Sequence, residues 1–175
     1  MHWPNSSKKT SNDSSVKRAV YTGSFDPVTL GHLNIIERSA RIVEELIVGI
    51  GINSEKQGLF KPAERMELVQ RCTKAWDNVR VETFEGLAVE FVTKCNANVM
   101  IRGVRPLTDI AAEFTMTMAN RRLNDDLETV FLMADSDYVH VSSSLIKQVA
   151  PLADDDQLAR FVPREIIPDL RSKLK

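Results

Sequence analysis

Apolar positions along the chain fall into two alternating kinds of pattern. Five short runs, 18–23, 46–52, 79–84, 98–102 and 129–133, are dense in aliphatic residues. The second run is apolar almost throughout, as a strand buried on both faces should be. Between the runs, apolar residues recur every three or four positions, the helical period. Leu33, Ile36, Ala40 and Val43 share one face of a helix expected over 31–44. A second helix starts near Pro62, a residue suited to a first turn, and turns Met66, Val69 and Cys72 inward. A third, over 87–96, places Ala88, Phe91, Val92 and Cys95 in register. A fourth, over 108–123, aligns Ile110, Phe114 and Met118 toward the core, and a fifth covers 143–149. Strand and helix thus alternate five times. That order predicts an α/β fold: a Rossmann-like, doubly wound, five-stranded parallel sheet with right-handed crossovers. Beyond Pro151 the chain should form short C-terminal helices, interrupted at Pro163 and Pro168. Asp154, Asp155 and Asp156 read as a solvated turn or helix start.

Composition narrows the class. The chain has 175 residues, 43% of them hydrophobic, enough for one core, and a net charge of −1. That balance gives no global basic field for nucleic acid, but leaves room for a small anion held by local cations. Residues 1–15 are polar, serine-rich and aperiodic, so a disordered arm is expected there and one domain over 16–175. No apolar run is long enough to span a membrane and no secretory h-region is visible near the start, so a cytoplasmic protein is expected. Cys72 and Cys95 occupy core-facing helical positions and form no zinc pattern or Cys-x-x-Cys pair, so both read as buried thiols.

In open parallel sheets, ligands bind beyond the carboxyl ends of the strands. After the first run come Gly23, Ser24, Phe25 and the segment Thr29-Leu30-Gly31-His32. Gly23 permits a tight turn and Pro27 stiffens the loop. Gly31 and His32 fall at a helix start, where free N–H groups meet anions. After the second run come Asn53, Ser54 and Lys56, and after the third Glu85, Gly86 and Leu87. After the fourth come Arg102, Gly103, Val104 and Arg105. The fifth is followed by Tyr138, Val139, His140, Val141, Ser142, Ser143 and Ser144. Singly, each has an ordinary reading: Lys56 a solvated loop lysine, Arg102 a partner of a surface carboxylate, the serines helix caps. Together, a lysine, two arginines, a histidine and two helix starts at one sheet edge suit a polyanion the size of a triphosphate. No Gly-x-x-x-x-Gly-Lys-Ser/Thr loop and no Gly-x-Gly-x-x-Gly turn is present, so neither a P-loop nor a dinucleotide oxidoreductase is indicated.

These residues carry a resemblance. Thr29-Leu30-Gly31-His32 is similar to the (His/Thr)-x-Gly-His signature of the nucleotidylyltransferase superfamily, and the run from Val141 to Lys147 is similar to its Ile-Ser-Ser-Ser/Thr segment. With Gly23-Ser24-Phe25-Asp26-Pro27 and Ile101-Arg102-Gly103-Val104-Arg105, the chain resembles the bacterial phosphopantetheine adenylyltransferase family over about 17–170. The resemblance implies transfer of the adenylyl group of ATP to 4′-phosphopantetheine, giving dephospho-coenzyme A and pyrophosphate, with Mg2+ accompanying the triphosphate. It implies His32, Lys56 and Arg102 as catalytic residues and Ser24, Lys56, Ala88 and Arg102 around phosphopantetheine. For ATP it implies Ser24, Phe25, His32, Gly103, Val104, Arg105, Glu113 and the stretch Tyr138, Val139, His140, Val141, Ser142, Ser143 and Ser144. It also implies a homohexamer and coenzyme A as a feedback ligand. Leu30 stands where the family commonly has asparagine, and Ala88 where a larger apolar residue is common.

Other readings stay open at this point. A nicotinate-mononucleotide adenylyltransferase shares the first signature, and a non-catalytic nucleotide sensor would keep part of the site. A cytidylyltransferase favours Arg-Thr-x-Gly-Ile-Ser-Thr-Thr as its second motif, which is absent.

Overall fold

The structure is a computed structural model that describes residues 18–53, 57–104 and 107–174, without the side chains of 107–110 and 112. The arm expected over 1–15 and the candidate residues Lys56 and Arg105 lie outside the described residues.

Five strands, β1 (Arg18–Gly23), β2 (Glu45–Gly51), β3 (Val79–Phe84), β4 (Val99–Val104) and β5 (Glu128–Met133), form one parallel sheet in the order β3-β2-β1-β4-β5. The α/β Rossmann-like reading of the sequence holds. Helices α1 (Leu30–Ala40) and α2 (Pro62–Thr73) cross over one face, and α3 (Ala88–Lys94) and α4 (Leu107–Leu123) the other. The tail adds α5 (Ser143–Val149), α6 (Asp155–Leu158) and α7 (Ile167–Lys173), which return to the first face.

The sheet sorts its side chains by the two-residue period of a strand. Tyr21, Leu46, Val48 and Ile101 join the larger core with Ile36 of α1 and Ile146 of α5. Val20, Ile47 and Met100 point the other way, onto Val89 and Val92 of α3. The buried run Leu46–Ile50 in β2 matches the continuous apolar stretch read from the sequence.

Two helices end earlier than periodicity suggested, for local reasons. Helix α1 stops at Ala40 rather than 44 because Asn78 donates its amide to the carbonyls of Ala40 and Val43. Helix α3 ends at Lys94, and the chain turns at Asn96 with a positive φ of 52°, a conformation asparagine tolerates.

Helix α4 corrects the sequence reading more seriously. Phe114 and Met118, expected in the core, are 55% and 41% exposed, and Met116 beside them is 56% exposed. Among the described side chains of α4, the buried one is Asn120, whose amide lies 3.9 Å from the sulfur of Met100. Apolar residues lie on more than one side of this helix, so its period identifies a stripe without saying which stripe meets the sheet. The inward position expected for Ile110 lies outside the described side chains.

Candidate active site

The strand order reverses at β1, and there the strands part. β1 pairs with β2 as far as Gly23 but with β4 only as far as Tyr21 and Ile101. The gap beyond Tyr21 is the switch-point crevice in which doubly wound sheets bind ligands.

The turn after β1 delivers His32 to this crevice. Thr29 caps α1: its hydroxyl accepts the His32 N–H at 3.3 Å, and its own N–H donates to His32 Nδ1 at 3.1 Å. This is a capping box with histidine in the place usually taken by glutamate or glutamine. A backbone N–H can only donate, so Nδ1 accepts and the imidazole carries its proton on Nε2. The ring packs edge-on against Phe25, with centroids 5.0 Å apart, and Phe25 itself is wholly buried. Helix α1 can sit this close because β4 offers a glycine. A Cβ on Gly103 would stand 2.9 Å from Ile35 Cγ1. His32, Gly103, Gly31, Thr29 and Val141 line one small cavity of about 70 Å³.

A wider cleft of about 560 Å³ opens beside it, lined in part by Ser24, Gly51, Asn53, Gly86, Ala88 and Arg102. Arg102 crosses the gap between strands and donates Nη1 to the Thr22 hydroxyl at 3.0 Å. Its other edge meets Glu113 of α4 in a two-toothed pair, Nε to Oε2 at 2.6 Å and Nη2 to Oε1 at 2.8 Å. Burial works to lower the Arg102 pKa, but the Glu113 carboxylate outweighs it and raises the value, so the guanidinium stays charged. The ordinary reading of Arg102, a partner for a carboxylate, is thus true of this structure, and the carboxylate belongs to another candidate residue.

The second signature lies next to α1, and of its residues Val141 lines the small cavity. Ser142 caps α5 by accepting the Leu145 N–H at 3.1 Å, and Ser143 donates to the Pro27 carbonyl at 2.8 Å. Ser144 is exposed. Tyr138 ends a short 3-10 turn, Val139 is exposed, and Val141 is buried. His140 is exposed and packs edge-on against Phe161, with centroids 5.9 Å apart. Val104 is buried, with its carbonyl taken by the Ala134 N–H at 2.9 Å.

The sequence matches the Cytidylyltransferase-like family over residues 20–149. A phosphopantetheine adenylyltransferase of Rhodopirellula baltica is 66% identical over 157 residues, covering 89% of this chain and 88% of that relative. The chain belongs to the phosphopantetheine adenylyltransferase family. A family member from Clostridium botulinum is 44% identical over 159 residues, covering 91% of this chain and 96% of its own. Among solved structures, a putative nicotinate-nucleotide adenylyltransferase from Vibrio parahaemolyticus superposes with a TM-score of 0.67 at 17% identity, covering 91% of this chain and 94% of that one. The nicotinic acid mononucleotide adenylyltransferase of Plasmodium falciparum, solved with NaAD, gives 0.66 at 13%, covering 87% and 93%. At such identities the likeness is one of fold.

Five polar residues that brace the loops around the crevice, Asp26, Lys147, Asn34, Arg38 and Asp135, were given no role in the sequence reading. Asp26 is 5% exposed, and its carboxylate accepts the Leu59 and Phe60 N–H groups at 2.8 Å each and Lys147 Nζ at 2.6 Å. Burial pushes the Asp26 pKa up, but the Lys147 ammonium and the two N–H groups outweigh it and hold the carboxyl below its ordinary 3.8. Asn34 and Arg38 of α1 both bind Asp135 after β5, at 2.6 and 3.0 Å. The signal available for Asp26 and Lys147 was their place inside the two quoted motifs; for Asn34 there was none.

Proposed function

We propose that the chain transfers the adenylyl group of ATP to 4′-phosphopantetheine, releasing pyrophosphate and forming dephospho-coenzyme A. The observation that carries this reading is the switch-point crevice, with Arg102 in its wide cleft and His32 held as a hydrogen-bond donor in the adjoining cavity. The acceptor's phosphate is already ionised at neutral pH, so the reaction needs no general base. A histidine whose Nδ1 is occupied by a main-chain N–H suits that requirement: it offers Nε2–H to charge that builds on the α-phosphate. Catalysis is then alignment for in-line attack, worth roughly 7–11 kcal/mol, and stabilisation of the transition state by fixed donors.

In this reading Ser24, Ala88, Arg102 and Lys56 receive phosphopantetheine. Ser24, Phe25, His32, Gly103, Val104, Arg105, Glu113 and the 138–144 segment receive ATP. Glu113 then has a second task, orienting Arg102 before substrate arrives. The cations and hydroxyls around the crevice are a donor set for phosphate oxygens. The hard oxygen ligands that Mg2+ prefers would come from the triphosphate itself. When bound there, Mg2+ would supply charge neutralisation for the triphosphate.

The same reading extends to assembly and place: a cytoplasmic homohexamer with coenzyme A as a feedback ligand. Phe114, Met116 and Met118 on α4, with Val130, Phe131 and Met133 on β5, support association with further copies, because they leave large apolar side chains uncovered.

Pyrophosphate release measured with ATP, Mg2+ and either 4′-phosphopantetheine or nicotinate mononucleotide tests the reading. Release with phosphopantetheine alone is expected. Release only with the mononucleotide would replace the acceptor, and nucleotide binding without release in either mixture would make the chain a sensor.

A further inference from the structure

Arg65 lies one turn into α2 and is only 8% exposed. Its Nη1 donates to the carbonyl of Ser24 at 2.9 Å and of Gly51 at 3.3 Å. Its Nε is buried without a partner, and Arg65 joins no ion pair among the described residues. Other cations tucked into this part of the fold are matched: Arg102 by Glu113, Lys147 by Asp26 and Arg71 by Asp169. A buried charge without a counter-ion is strongly unfavourable unless something else balances it. Two carbonyl dipoles balance part of the Arg65 charge. Both carbonyls belong to residues that line the wide cleft, Ser24 and Gly51. The unmatched charge therefore sits directly behind the cleft wall, at the ends of β1 and β2.

We propose that Arg65 is a positioning residue for the phosphate of the acceptor. It ties the ends of β1 and β2 into one wall, and its charge, unmatched among the described residues, is completed by the phosphate that enters the cleft. This rests on the reading that the acceptor carries a terminal phosphate. Arg65 acts through the wall it holds and through its field, which in a poorly solvated setting reaches across several ångströms. The sequence motifs gave no sign of it, because Arg65 sits on a helix that carries none of them.

Calorimetric titration of the full chain with 4′-phosphopantetheine and with pantetheine tests the proposal. The unsubstituted protein is expected to prefer the phosphorylated ligand. Arg65→Gln should reduce that preference about tenfold, the order expected for one charge acting on another through protein, while Arg65→Lys retains most of it. An equal loss of affinity for both ligands would overturn the proposal, since a loosened cleft wall weakens both alike. A protein that shows no preference before any substitution would overturn the functional reading, and this inference with it. Should Arg65→Gln not fold, NMR of the unsubstituted protein decides. The Arg65 Nε–H resonance, assigned through bonds, is expected to shift with phosphopantetheine and stay in place with pantetheine. A resonance that ignores both, or follows both equally, sinks the proposal.

Discussion

The two faces of the sheet are built differently, and the site straddles them. On one face α1, α2, α5 and α7 close over a core that runs from Ile36 through Leu46 and Ile146 to Leu170, all with negligible exposure. On the other, α3 seals a smaller cluster around Val92 and Met100, while α4 leaves Phe114, Met116 and Met118 in the open. His32 belongs to the first face: its helix is capped and pressed onto β4 at Gly103. Arg102 points to the second, where its orientation depends on Glu113 of α4. One half of the site is held by the chain's own core. The other leans on a helix whose outer surface is unfinished in the single chain. The difference teaches that, in the proposed reading, chemistry and assembly meet at α4: a second copy covering Phe114 would also steady Glu113, the neighbour that holds Arg102.

The sharpest test of this contrast is His32→Ala. It should lower kcat several-hundredfold, roughly 3–4 kcal/mol for a donor that acts on the transition state, with the melting temperature and the assembly state little changed. Near-normal turnover in a steady-state assay would remove His32 from the chemistry. Next in size is Leu46→Ala, which opens a cavity in the thick core and should cost about 3 kcal/mol in denaturant unfolding. Asp26→Asn should cost about 1–3 kcal/mol, because it takes the charge from a buried carboxylate that accepts two main-chain N–H groups and the Lys147 ammonium. Its signature is the pH dependence. The folded pKa of Asp26 is lowered, so its contribution is complete above about 3.8 and is lost as pH falls through the folded value. The variant's stability should therefore decline less steeply in acid than that of the unsubstituted protein; parallel acid profiles would contradict this. The smallest effect on the chain itself is expected for Phe114→Ala, about 0.5 kcal/mol or less for an exposed side chain. The same change should weaken association, read by sedimentation velocity across a dilution series. A stability loss as large as that of Leu46→Ala in a dilute, monomeric sample would erase the contrast between the faces.

Much of the fold was legible because it depends on local period and on turn chemistry. The continuous apolar run in β2, Pro62 at a helix start and Ser142 as the cap of α5 each record a short-range constraint, and each stands where the sequence places it. The site was legible in part for the same reason. Topology brings the strand ends to one edge, so Ser24, His32, Gly86, Arg102 and Gly103 could be grouped without coordinates, and two adjoining cavities do gather them. What could not be read were choices between partners distant in sequence. Arg102 had many carboxylates within reach in principle, and only the approach of α4 selects Glu113.

By itself, then, the sequence determined the alternation of strands and helices, the four motifs that follow the strands and, through them, the family. These follow from interactions within a few residues or from spacing along the chain. Only the tertiary structure decided which face of α4 is buried, that Asp26 joins the first turn to Leu59, Phe60 and α5, and that the charge of Arg65 goes unmatched among the described residues. The physical reason is common to all three. Burial and pairing are properties of space, and a carboxylate or a phenyl ring shows in one dimension neither what will surround it nor what will be left for another molecule to supply.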